Sequence, residues 1–268
     1  MLALLIGTAS LGCRQDPISQ AQRSCTDAIR AWSITQVHSQ VYAGLSPGCI
    51  ADLAEPVGLL VDGPLEQDSA AAYVLTGLLA LLADDSRTVG DDQRSPSLPQ
   101  LGLSQHQRAA ELFELGPDAP AGSAWFAYVA AVTEGVAFLS ATEMDGAQMR
   151  YRASENTIFV GEDLPGWSQA FGADLPFQVG GLLVHEATHA GAPAHIDCTW
   201  NDDLGQCDAD EEGAYGVELW MLQAWMQASP SLLNHRDCEG LEAFGQGACK
   251  RINSPPDWPI CTGERVCQ

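Results

Sequence analysis

The sequence predicts an α+β, mostly helical fold. Apolar residues recur at spacings of three and four along most of the chain, Asn156–Val160 is β-branched and aromatic, and Gly, Pro, Asp and Ser clusters separate the segments. Taken in order, runs near 17–42, 67–84, 104–115 and 121–141 read as helices. Within the second, residues 71–83 carry no charge, which fits a buried core helix and is too short for a membrane span. Residues 84–100, with several Asp, Ser and Pro, read as a loop. The strand Asn156–Val160 is bounded by Glu155 and Gly161. A helix follows from Pro176, its apolar positions at Val179, Leu182, Leu183, Ala187 and Ala190, and Gly191 and Pro193 stop it. A second helix, 213–227, places Tyr215, Trp220, Leu222 and Trp225 against the first. After Ser229-Pro230 the chain reads as loop-rich, with Pro255, Pro256 and Pro259 marking irregular backbone.

The 268 residues include 12 basic and 35 acidic ones, a net charge of −23. Such a surface repels nucleic acid and anionic lipid headgroups, so neither is expected as a partner. Residues 1–12 form an apolar stretch followed by Cys13, and this leader resembles that of bacterial lipoproteins, in which the cysteine is lipidated and becomes the new N-terminus. The resemblance implies an exported protein, periplasmic or at the cell surface, touching the membrane only through a lipid anchor at Cys13. With Cys13 set aside, eight of the nine cysteines remain, and nearest neighbours suggest bridges 25–49, 198–207, 238–249 and 261–267. No CxxC pair is present, so disulfides in an oxidising compartment are the better reading than a cysteine zinc site.

Chemistry concentrates in His185-Glu186-Ala187-Thr188-His189, with a third histidine at His195. Two histidines four apart lie on one helix face about 6 Å apart along the axis, so both imidazoles can address one ion. Glu186 then lies beside that ion. His38, His106 and His235 stand alone and read as surface or satisfied polar residues.

Segment 185–195 resembles the zincin superfamily of zinc metallopeptidases, and the His195 spacing is similar to its metzincin branch, HExxHxxGxxH. The glycine here is Gly191, one place early, with Ala192 at the family position, and Met221 and Met226 fall in a predicted helix where a Met-turn would be expected. The resemblance implies Zn²⁺ as cofactor, Glu186 as general base and a peptide or protein as substrate. It divides the chain into a leader 1–12, a mainly helical part 13–150 and a zincin-like catalytic part 151–268, with a short sheet, a motif helix packed on a second helix and a disulfide-rich end; one continuous domain is the alternative. It also implies that strand Asn156–Val160 lies at a sheet edge and pairs with substrate; the alternative is a short buried strand with no substrate role.

Catalytic zinc takes three protein ligands and keeps one position for water. His195 is one candidate for the third ligand. An acid from Asp208-Ala209-Asp210-Glu211-Glu212, above all Glu212, is the other, as in zincins that draw a glutamate from a following helix. Asp208-x-Asp210-x-Glu212-Gly213 also opens like a calcium loop, although Leu219 stands where its twelfth ligand should be. Zinc would lower the pKa of a bound water toward about 7, Glu186 would take its proton and hand it to the leaving amine, and Tyr215 is the nearest candidate to stabilise the oxyanion. The rival reading is an exported binding or scaffold lipoprotein whose site is structural, closed by four ligands, or vestigial. Action on cell-wall peptides as an amidase, or as a toxin-like protease, is a further alternative.

Overall fold

A computed structural model of the chain describes residues 17–35, 37–87, 124–170, 176–190, 195–198, 206–209, 213–228, 235–253, 255, 257 and 259–263. The chain adopts the α+β, mostly helical class. Helices α1 (Pro17–Ser24), α2 (Thr26–Thr35), α3 (His38–Ala43) and α4 (Pro47–Ala54) make the front of the molecule. The run 17–42 is therefore three short helices, broken at Cys25 and again before His38. Helix α4 starts where Ser46 caps the amide of Cys49 and Pro47 supplies a first-turn residue that needs no donor. A disulfide, Cys25–Cys49, ties the α1–α2 junction to α4, as the spacing predicts.

Helix α5 (Ala70–Arg87) is the pillar of the core. Leu75, Leu78, Leu79 and Leu82 are fully buried, each contributing on the order of 1.5–3 kcal/mol of hydrophobic burial. It continues four residues, Asp84 to Arg87, into the segment that reads as a loop. Residues 104–115 lie outside the described residues. Among the described residues no helix is long and apolar enough to cross a membrane.

The run 121–141 is not one helix. Helix α6 (Ala124–Val132) ends at Thr133, and Gly135–Leu139 forms strand β1. A short apolar run is ambiguous between helix and strand, and here pairing with a distant strand decides it. After the short helix α7 (Ala141–Met144), closed by a reciprocal Ser140–Glu143 capping box, come β2 (Met149–Arg152) and β3 (Thr157–Gly161). The order is β1-β3-β2, with β1 parallel to β3 and β2 antiparallel to it. The strand foreseen at 156–160 is thus β3, central and not at the edge. The edge strand beside the site is β2, whose Arg-Tyr-Arg sequence hides its strand character among charges.

Helix α8 (Leu164–Ala170) leads to the motif helix α9 (Pro176–Thr188), of which only Leu182 is partly exposed. It is enclosed by α5, by β2 and by α10 (Ala214–Ala228). That enclosure explains why its sequence is apolar nearly all round. Gly180 on α9 faces Gly77 on α5, and a Cβ on Gly77 would press on Val179 and the Gly180 amide, so the pair allows the two backbones to approach closely.

Helix α10 packs on α9 as expected, with Leu222 buried and Tyr215 half-buried; the side chains of Trp220 and Trp225 lie outside the described ones. Helices α11 (His235–Cys249) and α12 (Pro259–Thr262) follow, so part of the end expected to be loop-rich is helical. Cys198–Cys207 is formed. Cys249, however, bridges to Cys261, not to Cys238, because the end of α11 packs against α12; pairs 238–249 and 261–267 are thereby excluded. The disulfides are compatible with an extracellular protein.

Candidate metal centre

His185 lies in the last turn of α9, and the chain tightens as the helix ends. The amides of His189 and Ala190 bond three residues back, to Glu186 O and Ala187 O, each at 3.1 Å. Thr188 Oγ1 returns to Val184 O at 2.8 Å, and Tyr128 of α6 donates to the Ala187 carbonyl. With the helix end satisfied in this way, His189 stays on the face of His185, their ring centroids 5.2 Å apart.

His195 comes back to the same place, its ring 5.4 Å from that of His185 and 4.5 Å from that of His189. A two-strand bridge holds it there. Ile196 and Cys207 exchange both backbone hydrogen bonds, at 2.7 and 2.9 Å, and the Cys198–Cys207 disulfide closes the loop beyond. The donor atoms of the three histidines lie within 4.8 Å of one another, and together they can hold one metal ion. Of the two candidates for third ligand, His195 is the one brought to the pair. Glu212 lies outside the described residues, as does Cys13.

Two carboxylates orient this triad from behind. His185 Nδ1 lies 3.0 Å from Glu218 Oε2, and His195 Nδ1 lies 2.8 Å from Asp208 Oδ1. A carboxylate only accepts, so each ring donates through Nδ1 and its Nε2 keeps the lone pair a metal needs. Both acids are almost fully buried, at 2% and 4% exposure. Asp208 therefore supports a ligand instead of serving as one. Its second oxygen accepts from the Tyr215 amide at 2.6 Å, in the first turn of α10 where the helix dipole favours an anion. Gly213 is required at this contact, since a Cβ there would collide with the Asp208 carboxylate. Both oxygens of Asp208 are thus engaged within the site, while Asp210 and Glu212 of the calcium-loop reading lie outside the described residues.

Glu186 projects toward β2, where its Oε2 accepts from the Tyr151 amide at 2.7 Å. Burial raises its pKa, opposed by the neighbouring His185 and by that hydrogen bond. Burial and the two neighbouring imidazoles push His189 down to about 4, so it is neutral, the ligating form, at any ordinary pH. Burial disfavours the charged form of His185 too, but the Glu218 hydrogen bond and charge outweigh it and its pKa is raised. Tyr215 stacks on His195 at 4.9 Å and meets His185 edge-on at 4.5 Å. Burial lifts its phenol to about 12, so the hydroxyl stays a donor.

The triad and Glu186 open on a cleft of about 880 Å³, walled by β2, α10 and α11. Among the described residues no fourth His, Cys, Asp or Glu joins the three histidines. Comparison with protein-family models, with curated proteins and with solved structures returned no match. Glu218 was not foreseen as a site residue, yet it left a signal, being the one acid in the otherwise uncharged run of α10. His38 is buried and satisfied, its Nδ1 on Thr76 Oγ1 at 2.9 Å and its Nε2 on Gln67 O at 2.7 Å. His106 and the His235 side chain lie outside the description.

Proposed function

We propose that the protein is an exported zinc-dependent hydrolase of peptide bonds, of the zincin type its motif resembles. The observation that carries the reading is the three-histidine cluster, two of its rings held by buried carboxylates at Nδ1, opening with Glu186 on a cleft. Three imidazoles suit Zn²⁺, which when bound supplies an electrophile and lowers the pKa of a water toward about 7. The rest falls to the chain itself. Glu186, buried and raised in pKa, takes the proton of the attacking water and delivers it to the leaving amine, with no covalent intermediate. The Tyr215 hydroxyl, protonated across the working range, is the donor for the oxyanion. Strand β2 turns its outer edge to Glu186 through the Tyr151 amide, and an extended substrate would lie along that edge.

An open site is favoured over a structural one closed by four ligands, because Asp208 and Glu218 each hold a histidine at Nδ1 and among the described residues no fourth ligand joins the three histidines. Export and a lipid anchor at Cys13 complete the proposal, on the resemblance of the leader. The test is Glu186→Gln. It should retain one zinc per chain and lose hydrolysis of a generic protein substrate by about 10²–10⁴-fold; unchanged turnover would remove Glu186 as the base.

A further inference from the structure

Two arginines line the cleft, Arg150, whose Nη2 donates to the Met144 carbonyl at 3.0 Å, and Arg251, which lies on the side of the histidines. Arg251 follows the end of α11 and lines the cleft; its guanidinium carbon lies 5.2 Å over the Tyr215 ring, which stacks in turn at 4.9 Å on His195. Its Nη1 donates to the Gln206 carbonyl at 2.9 Å. Among the described residues it forms no ion pair. The described acids of the site each hold another group: both oxygens of Asp208 on His195 and the Tyr215 amide, Glu218 Oε2 on His185, and Glu186 Oε2 on the Tyr151 amide. In a chain with 12 basic and 35 acidic residues, an arginine at the metal's side with no acid on it stands out against the surrounding field.

The wall leading to it is open. Phe244, Gly247, Ala248 and Arg251 follow at intervals of three and four and all line the cleft, so they share one face of α11 and its exit. A Cβ placed on Gly247 would meet nothing within 4 Å, which leaves room for a substrate group between the Phe244 ring and the guanidinium.

We propose that Arg251 is a specificity-determining residue that binds a carboxylate of the substrate, so that the enzyme prefers peptides carrying one close to the scissile bond. The proposal rests on the reading of the site as a peptide-hydrolysing metal centre. The guanidinium lies two ring layers from His195. Extended chain advances about 3.3 Å per residue, which puts the carboxylate within about three residues of the cleaved bond. A planar fork on a half-buried arginine suits this group, since two of its N–H donors can meet both carboxylate oxygens. The carboxylate comes either from the C-terminus of the peptide or from an Asp or Glu side chain.

Binding of metal-chelating probes separates these cases without relying on turnover. Zinc-loaded wild-type protein is titrated calorimetrically with hydroxamate-capped Leu-Ala as free acid and as C-terminal amide, and with hydroxamate-capped Leu-Glu and Leu-Gln amides. A preference of about tenfold for the acid over the amide assigns Arg251 to a C-terminal carboxylate, and the same preference for the Glu over the Gln probe assigns it to a side chain. Arg251→Gln should erase that difference, and Arg251→Lys, which keeps the charge but not the fork, should retain part of it. If all four probes bind wild type equally, or if the preference survives in Arg251→Gln, the carboxylate subsite is refuted while the metal centre stands. Failure of every probe to bind refutes the metal centre, and the subsite with it.

Discussion

In the helical front half, His38 is buried with a partner on each ring nitrogen, Thr76 on one and the Gln67 carbonyl on the other, and it stacks on Tyr73 at 3.7 Å. In the motif half, His185 is as well buried but has a carboxylate on Nδ1 alone, with two more imidazoles around the other nitrogen. The first arrangement consumes both ring nitrogens in holding α3 to α5 and the chain before it. The second fixes the tautomer and leaves a lone pair exposed to a ligand, an expense a fold does not need for its own stability. Two of the disulfides follow the same division. Cys25–Cys49 joins front helices, whereas Cys198–Cys207 closes the loop between His195 and the acid that holds it.

The division can be broken by substitution. Asp208→Ala, which frees His195 and removes the acceptor for the Tyr215 amide, should weaken metal affinity about 10–100-fold, read by competition with a chromophoric chelator. Affinity unchanged in that variant would mean that His195 is held by its loop alone. A smaller effect is expected for the loop itself. Cys198→Ser with Cys207→Ser should lower metal affinity by roughly tenfold or less, and stability by about 2–3 kcal/mol in chemical denaturation. Cys25→Ser with Cys49→Ser should lower stability without moving metal affinity; equal losses of affinity in both pairs would erase the contrast. The smallest effect on the site belongs to His38→Ala. Its loss of two buried hydrogen bonds should cost about 1–3 kcal/mol in unfolding while the metal content stays at the wild-type value.

Much of this arrangement was legible in the chain, for identifiable reasons. Spacing of His185 and His189 on an apolar-periodic segment is a local property, and so is the stop signal that follows it in the sequence, in keeping with a helix that ends at Thr188. Strand β3 is also a local reading, since Ile158, Phe159 and Val160 favour a half-buried pleat. Pairings were less legible. Gly135–Leu139 looks like a continuation of α6 until β3 is beside it, and Cys249 chooses Cys261 because of where α11 and α12 meet. Asp208 stood among the candidate ligands, but its place at the start of α10 and on His195 depends on a loop geometry that sequence does not encode in any short pattern. Arg251 left no trace, because it reaches the cleft only through the packing of α11.

The most direct measurement is metal content by elemental analysis of purified wild-type protein beside His189→Ala, both loaded with zinc and dialysed under the same conditions. One ion per chain in the wild type and none in His189→Ala is the predicted result. Equal metal in the two proteins, or none in the wild type, would contradict the claim that His185, His189 and His195 form a metal centre.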